Sequence, residues 1–203
     1  MYKLLKRLLD LFFGLIILFF ITPVIITICI VSVIIHGFPI FFIHERLGLN
    51  GKPFKMVKFR SMIVGPSISA EKDVKRITKL GRLLRKTSLD EVPVLLNVIK
   101  GDMSLVGPRP MPLKYLKRFN EYQIKRLNIK PGITGLAQIS GRNNLTWERK
   151  FSLDIKYLSK QSFTFDIYIL LKTFIIVFKG TGVNSIESEI MPEFMGNEDG
   201  NNK

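Results

Sequence analysis

The sequence is poor in the residues that form disulfides and transition-metal sites. Its 203 residues include one cysteine, Cys29, and two histidines, His36 and His44. No intrachain disulfide can form, which favours a reducing compartment, and a zinc site built from cysteine and histidine cannot be assembled. A Ser-His-acid triad would have to use one of two histidines that lie just past an apolar run. Any metal ion should therefore be a hard cation bound by oxygen ligands.

Common motifs for binding phosphates and nucleotides are also missing. The sequence contains neither G-x-x-x-x-G-K-[ST] nor G-x-G-x-x-G, which argues against an ordinary nucleoside triphosphatase and a Rossmann dinucleotide site. It has no D-x-D pair of the kind with which nucleotide-sugar glycosyltransferases often hold a metal ion. The match to a G-x-x-G nucleic-acid loop at residues 132–135 has an uncharged interior and is weak support for nucleic-acid binding.

Acidic residues are scarce in the body of the chain. There are 31 lysines and arginines against 16 aspartates and glutamates, a formal net charge of +15, and five of those acidic residues lie in residues 183–203. A surface this basic predicts an anionic partner, which by charge alone can be nucleic acid, acidic phospholipid or a phosphorylated small molecule. The chain has 203 residues, of which 47% are apolar. This length and composition are enough for one hydrophobic core plus an appendage.

One long apolar stretch near the N-terminus has no formal charge. It runs from Leu11 to Ile35, and as a helix it would extend about 37 Å, more than the hydrocarbon core of a bilayer. Pro23 lies at its middle and predicts a bend, with the Thr22 hydroxyl available to a freed carbonyl. Basic residues lie on both flanks, so they do not mark one end as external. Two alternatives remain: a segment that dips into the membrane and returns, and a proline-kinked spanning helix.

Hydrophobic periodicity and turn residues predict an α+β chain that is mostly helical. A small hairpin is expected within residues 36–62, and a basic amphipathic helix over 72–86 would suit an anionic membrane surface. Further helices are expected at 89–100 (closed by Gly101), 112–127, 145–159 and 163–179, the last buried or embedded in a surface. The regions are a membrane segment (1–36), a membrane-associated domain (37–182) and an acidic tail (183–203) that should be disordered.

The residues most suited to catalysis are Asp90 and Glu91, the only adjacent acid pair in the basic body. One interpretation is structural, because Ser88-x-x-Glu91 spells a capping box, although Pro93 would then occupy an unfavourable position. The other is a phosphate site at a helix N-terminus, where two carboxylates tolerate an anion only if a cation such as Mg²⁺ intervenes. One carboxylate would bind the metal ion, and the other would be free to attack phosphorus.

Two further alternatives concern charge. Arg109, between Pro108 and Pro110, is a candidate phosphate clamp, but an arginine in such a loop is as often a structural salt-bridge partner. The whole chain can also be interpreted as a non-catalytic scaffold at the membrane surface that binds anionic lipid or nucleic acid by charge. Such a scaffold would be sensitive to salt and indifferent to replacement of Asp90.

The combined motifs resemble those of the bacterial sugar transferase family, the monotopic phosphoglycosyl transferases that act on polyprenyl phosphate. The resemblance covers about residues 3–180, and its most specific motifs are Ser88-Leu89-Asp90-Glu91-Val92-Pro93, Gly107-Pro108-Arg109-Pro110 and Pro131-Gly132-Ile133-Thr134-Gly135-Leu136. It implies a re-entrant helix-break-helix at Thr22 and Pro23, with both termini cytoplasmic. The protein would lie on the cytoplasmic face of the bacterial inner membrane, as a minimal, single-domain member.

The resemblance also implies a reaction. Asp90 would be the nucleophile on the β-phosphate of a UDP-sugar, releasing UMP, and polyprenyl (undecaprenyl) phosphate would then take the phosphosugar from the enzyme. Glu91 matches the family's Mg²⁺ ligand, and Asp90 lies beside it as a second candidate. Residues that match phosphate or substrate contacts are Arg85, Arg109, Lys58, Arg60 and Arg142. The implied partners are a UDP-sugar, polyprenyl phosphate and membrane lipids, and not nucleic acid.

Overall fold

The computed structural model describes residues 2–65, 76–141, 144–179 and 193–196. Residues 72–75 of the predicted basic helix, Arg142 and most of the acidic tail lie outside these residues. Within the described part, the basic helix begins only at Lys79, after an isolated bridge between Ile77 and Met62. Helices and strands follow in the order α1 (Tyr2–His36), β1 (Phe41–Leu47), β2 (Pro53–Phe59), α2 (Lys79–Lys86), α3 (Leu95–Lys100), β3 (Ser104–Val106), β4 (Gly132–Thr134), α4 (Leu136–Ile139), α5 (Trp147–Lys160) and α6 (Phe163–Lys179). Short 3-10 helices lie between them at Leu49–Gly51, Leu89–Val94, Leu113–Arg118 and Gln123–Asn128. The predicted α+β architecture, mostly helical, is confirmed.

Helix α1 contains the whole apolar stretch. It is continuous through Pro23, so the predicted interruption of the helix at this point is not observed. A proline removes only one backbone donor, and nearby hydroxyls make further bonds along the helix: Thr22 Oγ1 donates to Leu18 O at 2.7 Å and Thr27 Oγ1 to Pro23 O at 2.9 Å. By length and composition, α1 is able to cross a membrane.

Helix α1 rests on the rest of the chain near both of its ends. The contacting residues include Arg7, Asp10 and Phe13 near the start and Ile28, Ser32 and His36 near the end. Arg7 donates to two carbonyl oxygens at the C-terminal end of α3, at 2.6 and 2.7 Å, where a cation also stabilises the helix dipole. Between these contacts, Phe19 and Phe20 are 75% and 74% exposed.

The predicted hairpin is formed by β1 and β2, which pair antiparallel over their full length. Its turn contains Asn50 at φ 55° and Gly51 at φ 74°, a conformation that the Asn-Gly dipeptide favours. Residues that oppose each other, or that lie two apart along a strand, share one face of a hairpin. The register therefore places His44, Arg46 and Lys58 on the same face.

The helix predicted over residues 89–100 begins as the 3-10 helix Leu89–Val94 and continues as α3, which ends at Gly101 with φ 100°. Ser88 precedes it in the left-handed region, with φ 58°, and its side chain makes no capping hydrogen bond. The Glu91 carboxylate pairs with two cations elsewhere in the fold. The capping-box interpretation is therefore wrong, and backbone strain of this kind is often found beside functional residues.

Two features between α3 and α5 differ from the prediction. The parallel pair of β3 and β4 is not indicated by the sequence, because three residues are too few for alternation to reveal a strand. The helix expected over 112–127 is instead two 3-10 helices. They are separated at Asn120, whose Oδ1 accepts from two following backbone amides at 3.1 and 2.8 Å, a local bond that competes with helix formation.

The last two helices complete the core. The helices predicted over 145–159 and 163–179 are confirmed as α5 and α6, and Thr146 caps α5 by accepting from the Arg149 amide at 3.3 Å. The main cluster of buried residues includes Val94, Val98, Met103, Val106, Leu153, Tyr157 and Ile169. It lies directly beneath the segment that carries the acid pair, so the pair stands on a rigid support.

A short part of the tail also packs on the body. The sequence predicts disorder from residue 183 onward, but residues 193–196 lie against the 3-10 helix Leu113–Arg118 and α5. Phe194 is 1% exposed, and Glu193 pairs with Lys114 and Arg118. These four residues are therefore ordered, unlike the prediction. Phe194 is buried in an aromatic pocket, and the acidic composition of the tail gives no sign of that pocket.

Candidate active site

Glu91 lies at the centre of a cluster of cations. Its Oε1 atom accepts hydrogen bonds from Lys58 Nζ at 2.5 Å and from Arg109 Nη2 at 2.8 Å. These residues come from β2, from the 3-10 helix Leu89–Val94 and from the loop after β3, so three separate segments meet at one carboxylate oxygen. The side chains of Lys58 and Glu91 are only 17% and 20% exposed, which makes this pair stronger than a solvated surface ion pair.

Asp90 has a different environment from its neighbour. Its carboxylate accepts no hydrogen bond from the residues that the structure describes, although it is partly buried. Arg85 is close enough for its charge to act on the pKa of Asp90, while Arg85 Nε donates to Ser61 Oγ at 2.9 Å. A carboxylate that no ion pair occupies can form a bond to phosphorus.

The environments of the two carboxyl groups move their pKa values apart. Burial and the adjacent Glu91 charge raise the pKa of Asp90 from 3.8 to about 6, against the opposing charges of Lys58, Arg85 and Arg109. Burial opposes ionisation of Glu91, but the charges of Arg109 and Lys58 outweigh it and hold the pKa of Glu91 well below its ordinary value. Glu91 is thus an anion at neutral pH while Asp90 titrates nearby, a separation typical of catalytic carboxylate pairs.

The loop that carries Arg109 is held by hydrogen bonds to its backbone. Gly107 N donates to Thr134 O at 2.8 Å, and the carbonyl oxygen of Arg109 accepts from Arg126 Nη2 at 2.7 Å. The Arg109 side chain itself remains 49% exposed beyond its contact with Glu91. Both interpretations of this arginine therefore fit, because one side of the guanidinium pairs with Glu91 and its open side can bind a phosphate.

Two residues of β1 that sequence reasoning did not place in the site lie beside the cluster. Within the described part of the chain, the Arg46 guanidinium has no hydrogen-bond or ion-pair partner, and burial together with the Arg109 charge lowers its pKa to about 10. Both ring nitrogens of His44 are buried without a partner there. Burial and nearby cations, Arg46 foremost, lower the pKa of His44 to about 4. Side chains alternate between the two faces of a hairpin, and this alternation places both residues on the same face as Lys58. It is the sequence signal by which they can be identified.

Other predicted site residues are not brought to the acid pair. Arg60 donates to the carbonyl oxygens of His36 and Gly37 at 2.5 and 2.7 Å, at the end of α1. Its role as a substrate contact stays a prediction. Arg142 lies outside the described residues, and its role stays a prediction. Thr22 and Pro23 lie in the middle of α1, within its apolar stretch.

The acid pair fits a hard divalent cation. Glu91 uses Oε1 for both cationic partners, which leaves Oε2 and the Asp90 carboxylate as oxygen donors. Among the described residues there is no group of three or more His, Cys, Asp or Glu side chains able to hold a metal ion. Mg²⁺ commonly takes one or two carboxylates and completes its shell with water and substrate phosphates. The donor set therefore suits Mg²⁺ and does not suit a fully protein-ligated metal.

Comparison with known proteins gives consistent matches. A family model described as bacterial sugar transferase matches residues 1–180. An uncharacterised sugar transferase, EpsL, of Bacillus subtilis strain 168 is 44% identical over 200 residues, which cover 90% of this chain and 96% of that protein. The undecaprenyl-phosphate galactose phosphotransferase of Salmonella typhimurium is 40% identical over 199 residues, covering 89% and 42%.

The name of a third similar protein also states its substrates. The UDP-glucose:undecaprenyl-phosphate glucose-1-phosphate transferase of Escherichia coli K12 is 39% identical over 190 residues, covering 88% of this chain and 40% of that protein. The chain thus spans nearly all of the Bacillus relative but about two fifths of the two enzymes with named substrates.

Proposed function

The chain belongs to the bacterial sugar transferase family, and on this premise we propose that it transfers a sugar 1-phosphate from a UDP-sugar to polyprenyl phosphate. The names of the Salmonella and Escherichia relatives support these two substrates. The observation that carries the proposal is the Asp90 carboxylate, which has no hydrogen-bond or ion-pair partner among the described residues and lies beside the cluster of Glu91, Lys58 and Arg109. A free anionic nucleophile next to positioned cations is what phosphoryl transfer through a covalent enzyme intermediate requires.

The proposed reaction has two steps at one phosphorus atom. In the first, an oxygen of Asp90 attacks the β-phosphorus of the UDP-sugar, the bond from that phosphorus to the bridging oxygen breaks, and UMP leaves with the bonding electrons. In the second, a phosphate oxygen of the polyprenyl phosphate attacks the same phosphorus, and the Asp90 carboxylate leaves. The product is a polyprenyl diphosphate sugar, and covalent catalysis divides one transfer into two.

The charges around Asp90 suit a diphosphate. The cations that act on the two carboxylates are Lys58, Arg85, Arg109 and Arg46. They outnumber the two carboxylates, which favours an anionic donor such as the UDP-sugar diphosphate. Glu91 fixes two of these donors before substrate arrives, and such preorganisation favours the transition state. Mg²⁺ held by Glu91, with Asp90 adjacent, would screen the diphosphate from both carboxylates.

We propose also that α1 enters and leaves the membrane on the cytoplasmic side. Both ends of α1 contact the body, and the exposed Phe19 and Phe20 lie between them. This topology would keep the acid pair at headgroup level, where a hydrophilic donor and a lipid phosphate meet. Single cysteines at Lys3 and Lys52, in a Cys29→Ser chain, should both resist an impermeant reagent in intact cells. Reaction of either one from outside would show that α1 spans.

Release of UMP tests the proposed function. Full-length protein in lipid nanodiscs with undecaprenyl phosphate should release UMP from at least one of UDP-glucose, UDP-galactose and UDP-N-acetylglucosamine. Chelation by EDTA should stop the release, and added Mg²⁺ should restore it. Without the lipid, release should end after about one UMP per protein, as expected for a covalent intermediate. Release of UDP instead would indicate sugar transfer, and no release would favour the scaffold.

The acid limb of the pH profile should follow Asp90. Its pKa is raised to about 6 in the folded chain, so the ionised nucleophile predominates above that pH and is lost as the pH falls through it. We expect kcat/KM for the UDP-sugar to fall about tenfold per pH unit below 6. Arg85→Gln removes a positive charge that lowers the pKa of Asp90. The pKa should therefore rise in this variant, and the acid limb of its pH profile should move to higher pH. An acid limb that stays at the same pH in Arg85→Gln would contradict the assignment.

A further inference from the structure

The loop that carries Arg109 is supported from behind by a buried ion pair. Arg126 Nε and Nη2 lie 2.9 and 2.8 Å from Asp154 Oδ2, and the two side chains are only 2% and 3% exposed. The same Nη2 atom donates to the Arg109 carbonyl oxygen at 2.7 Å. Burying two charges costs several kcal/mol of desolvation, so this pair is a demanding way to hold a loop. Arg126 thereby joins α5 to the backbone of the residue that contacts Glu91.

Two aromatic rings also contact the Arg126 guanidinium. Its central carbon lies 5.8 Å from the centroid of Phe119 and 5.6 Å from that of Phe151. These are favourable cation–π distances. The two rings also contact each other edge to face, with centroids 5.4 Å apart. The position of Arg126 therefore depends on how these two rings are packed.

Phe194 is the residue that completes this aromatic packing. Its ring centroid lies 5.0 Å from that of Phe151 and 6.0 Å from that of Phe119. Its backbone is fixed as well, because its amide donates to Tyr115 Oη at 3.0 Å and its carbonyl oxygen accepts from Arg118 Nη1 at 2.5 Å. The next residue, Met195, is 75% exposed, so a single side chain of this segment enters the pocket.

We propose that Phe194 is a positioning residue: through Phe119, Phe151 and Arg126 it holds the Arg109 loop in register with Glu91. The family match ends at residue 180, so the tail supplies a support for the active site from outside the matched region. The inference rests on the proposed function for its kinetic consequence, although the contacts themselves do not. A displaced Arg109 would bind the donor diphosphate less well, because small misplacements of a positioning group reduce catalysis strongly.

The test compares full-length variants in the same nanodiscs. Phe194→Ala and Arg126→Lys should each lower kcat/KM for the UDP-sugar about tenfold, with KM raised. Both should weaken the binding of UDP, which keeps the diphosphate but offers no sugar to transfer. Phe194→Leu, which retains apolar volume, should fall between wild type and Phe194→Ala. Met195→Ala, the exposed neighbour, should behave as wild type. The double variant Phe194→Ala/Arg126→Lys should have a kcat/KM no lower than that of Arg126→Lys alone. The effects of two substitutions are not additive when both residues act through the same contacts.

The outcomes separate this inference from the proposed function. If the wild type releases UMP but Phe194→Ala keeps its KM and UDP affinity, Phe194 does not position the loop. A lower folded fraction with unchanged KM in the remaining protein means a purely structural role and equally overturns the inference. If the wild type releases no UMP from any donor, the proposed function fails, whereas weaker UDP binding by Phe194→Ala and Arg126→Lys would still support the coupling.

Discussion

Asp90→Asn is expected to reduce UMP release from the UDP-sugar by a factor of about 10⁴ or more, as loss of a covalent nucleophile does in other enzymes. An amide has the size of the carboxyl group but no charge, so it cannot displace UMP from phosphorus. Because Asp90 accepts no hydrogen bond from the described residues, the substitution breaks no recorded contact. The loss should therefore be chemical and not structural.

The same variant should be more stable than the wild type at neutral pH. The pKa of Asp90 in the folded chain exceeds its ordinary 3.8, so its ionisation works against folding. This cost is absent below about pH 4, grows up to about pH 6, and reaches about 2–3 kcal/mol above it. Asp90→Asn removes the cost, a trade between stability and activity that active sites commonly show. An inactive variant with a raised melting temperature would establish both points together.

Mass spectrometry provides the direct measurement for Asp90. Wild-type protein incubated with the active donor and no lipid acceptor should carry a phosphosugar on the peptide that contains Asp90. The adduct should be missing from Asp90→Asn and present in Glu121→Gln, a matched neutralisation of an exposed carboxylate away from the site. If Asp90→Asn keeps appreciable UMP release, another group is the nucleophile and the two-step reaction is wrong.

The acid pair could be found from the sequence because its signal is local. Asp90 and Glu91 are adjacent, a proline follows them, and the rest of the body is basic. Their environment could not be found in this way, because Lys58 is 33 residues from Glu91 and Arg109 is 18 residues away. Only the fold decides that two cations meet at one oxygen of Glu91. The same distinction explains why the capping box, a local pattern that the sequence permits, does not form.

The fold prediction succeeded where an element has a turn signal or a periodic apolar pattern of its own, and failed where tertiary contacts decide. The hairpin has a turn dipeptide, and α5 and α6 have several turns of periodic apolar residues, so sequence rules located them. Strands β3 and β4 depend on a contact between distant glycines, and the burial of Phe194 depends on a pocket assembled from Tyr115, Phe119 and Phe151. Such tertiary contacts override composition, which is why the tail residues 193–196 depart from the predicted disorder.

The close approach of β3 and β4 leads to the second large effect, expected for Gly132→Ala. A Cβ atom at Gly132 would lie 2.0 Å from the backbone nitrogen of Gly107 and 2.5 Å from Thr134 O. Both neighbours are backbone atoms that are hydrogen-bonded to each other, Gly107 N to Thr134 O at 2.8 Å, and Gly132 N donates to Pro108 O at 2.9 Å beside them, so neither can move aside cheaply. We expect a loss of about 4 kcal/mol or more in unfolding free energy, the range of severe core overpacking.

The loss at Gly132 should reach the active site, because the bond it breaks fixes the carbonyl of Pro108, next to Arg109. Thermal unfolding and resistance to trypsin would measure the stability, with Gly14→Ala as the matched control. Gly14 lies in α1, and a Cβ there would have its nearest neighbour at 3.8 Å, an ordinary contact in a helix that alanine favours by about 1 kcal/mol. If Gly132→Ala melts like Gly14→Ala, the two strands have room for a methyl group. The tight β3–β4 contact would then not be what holds Arg109 against Glu91.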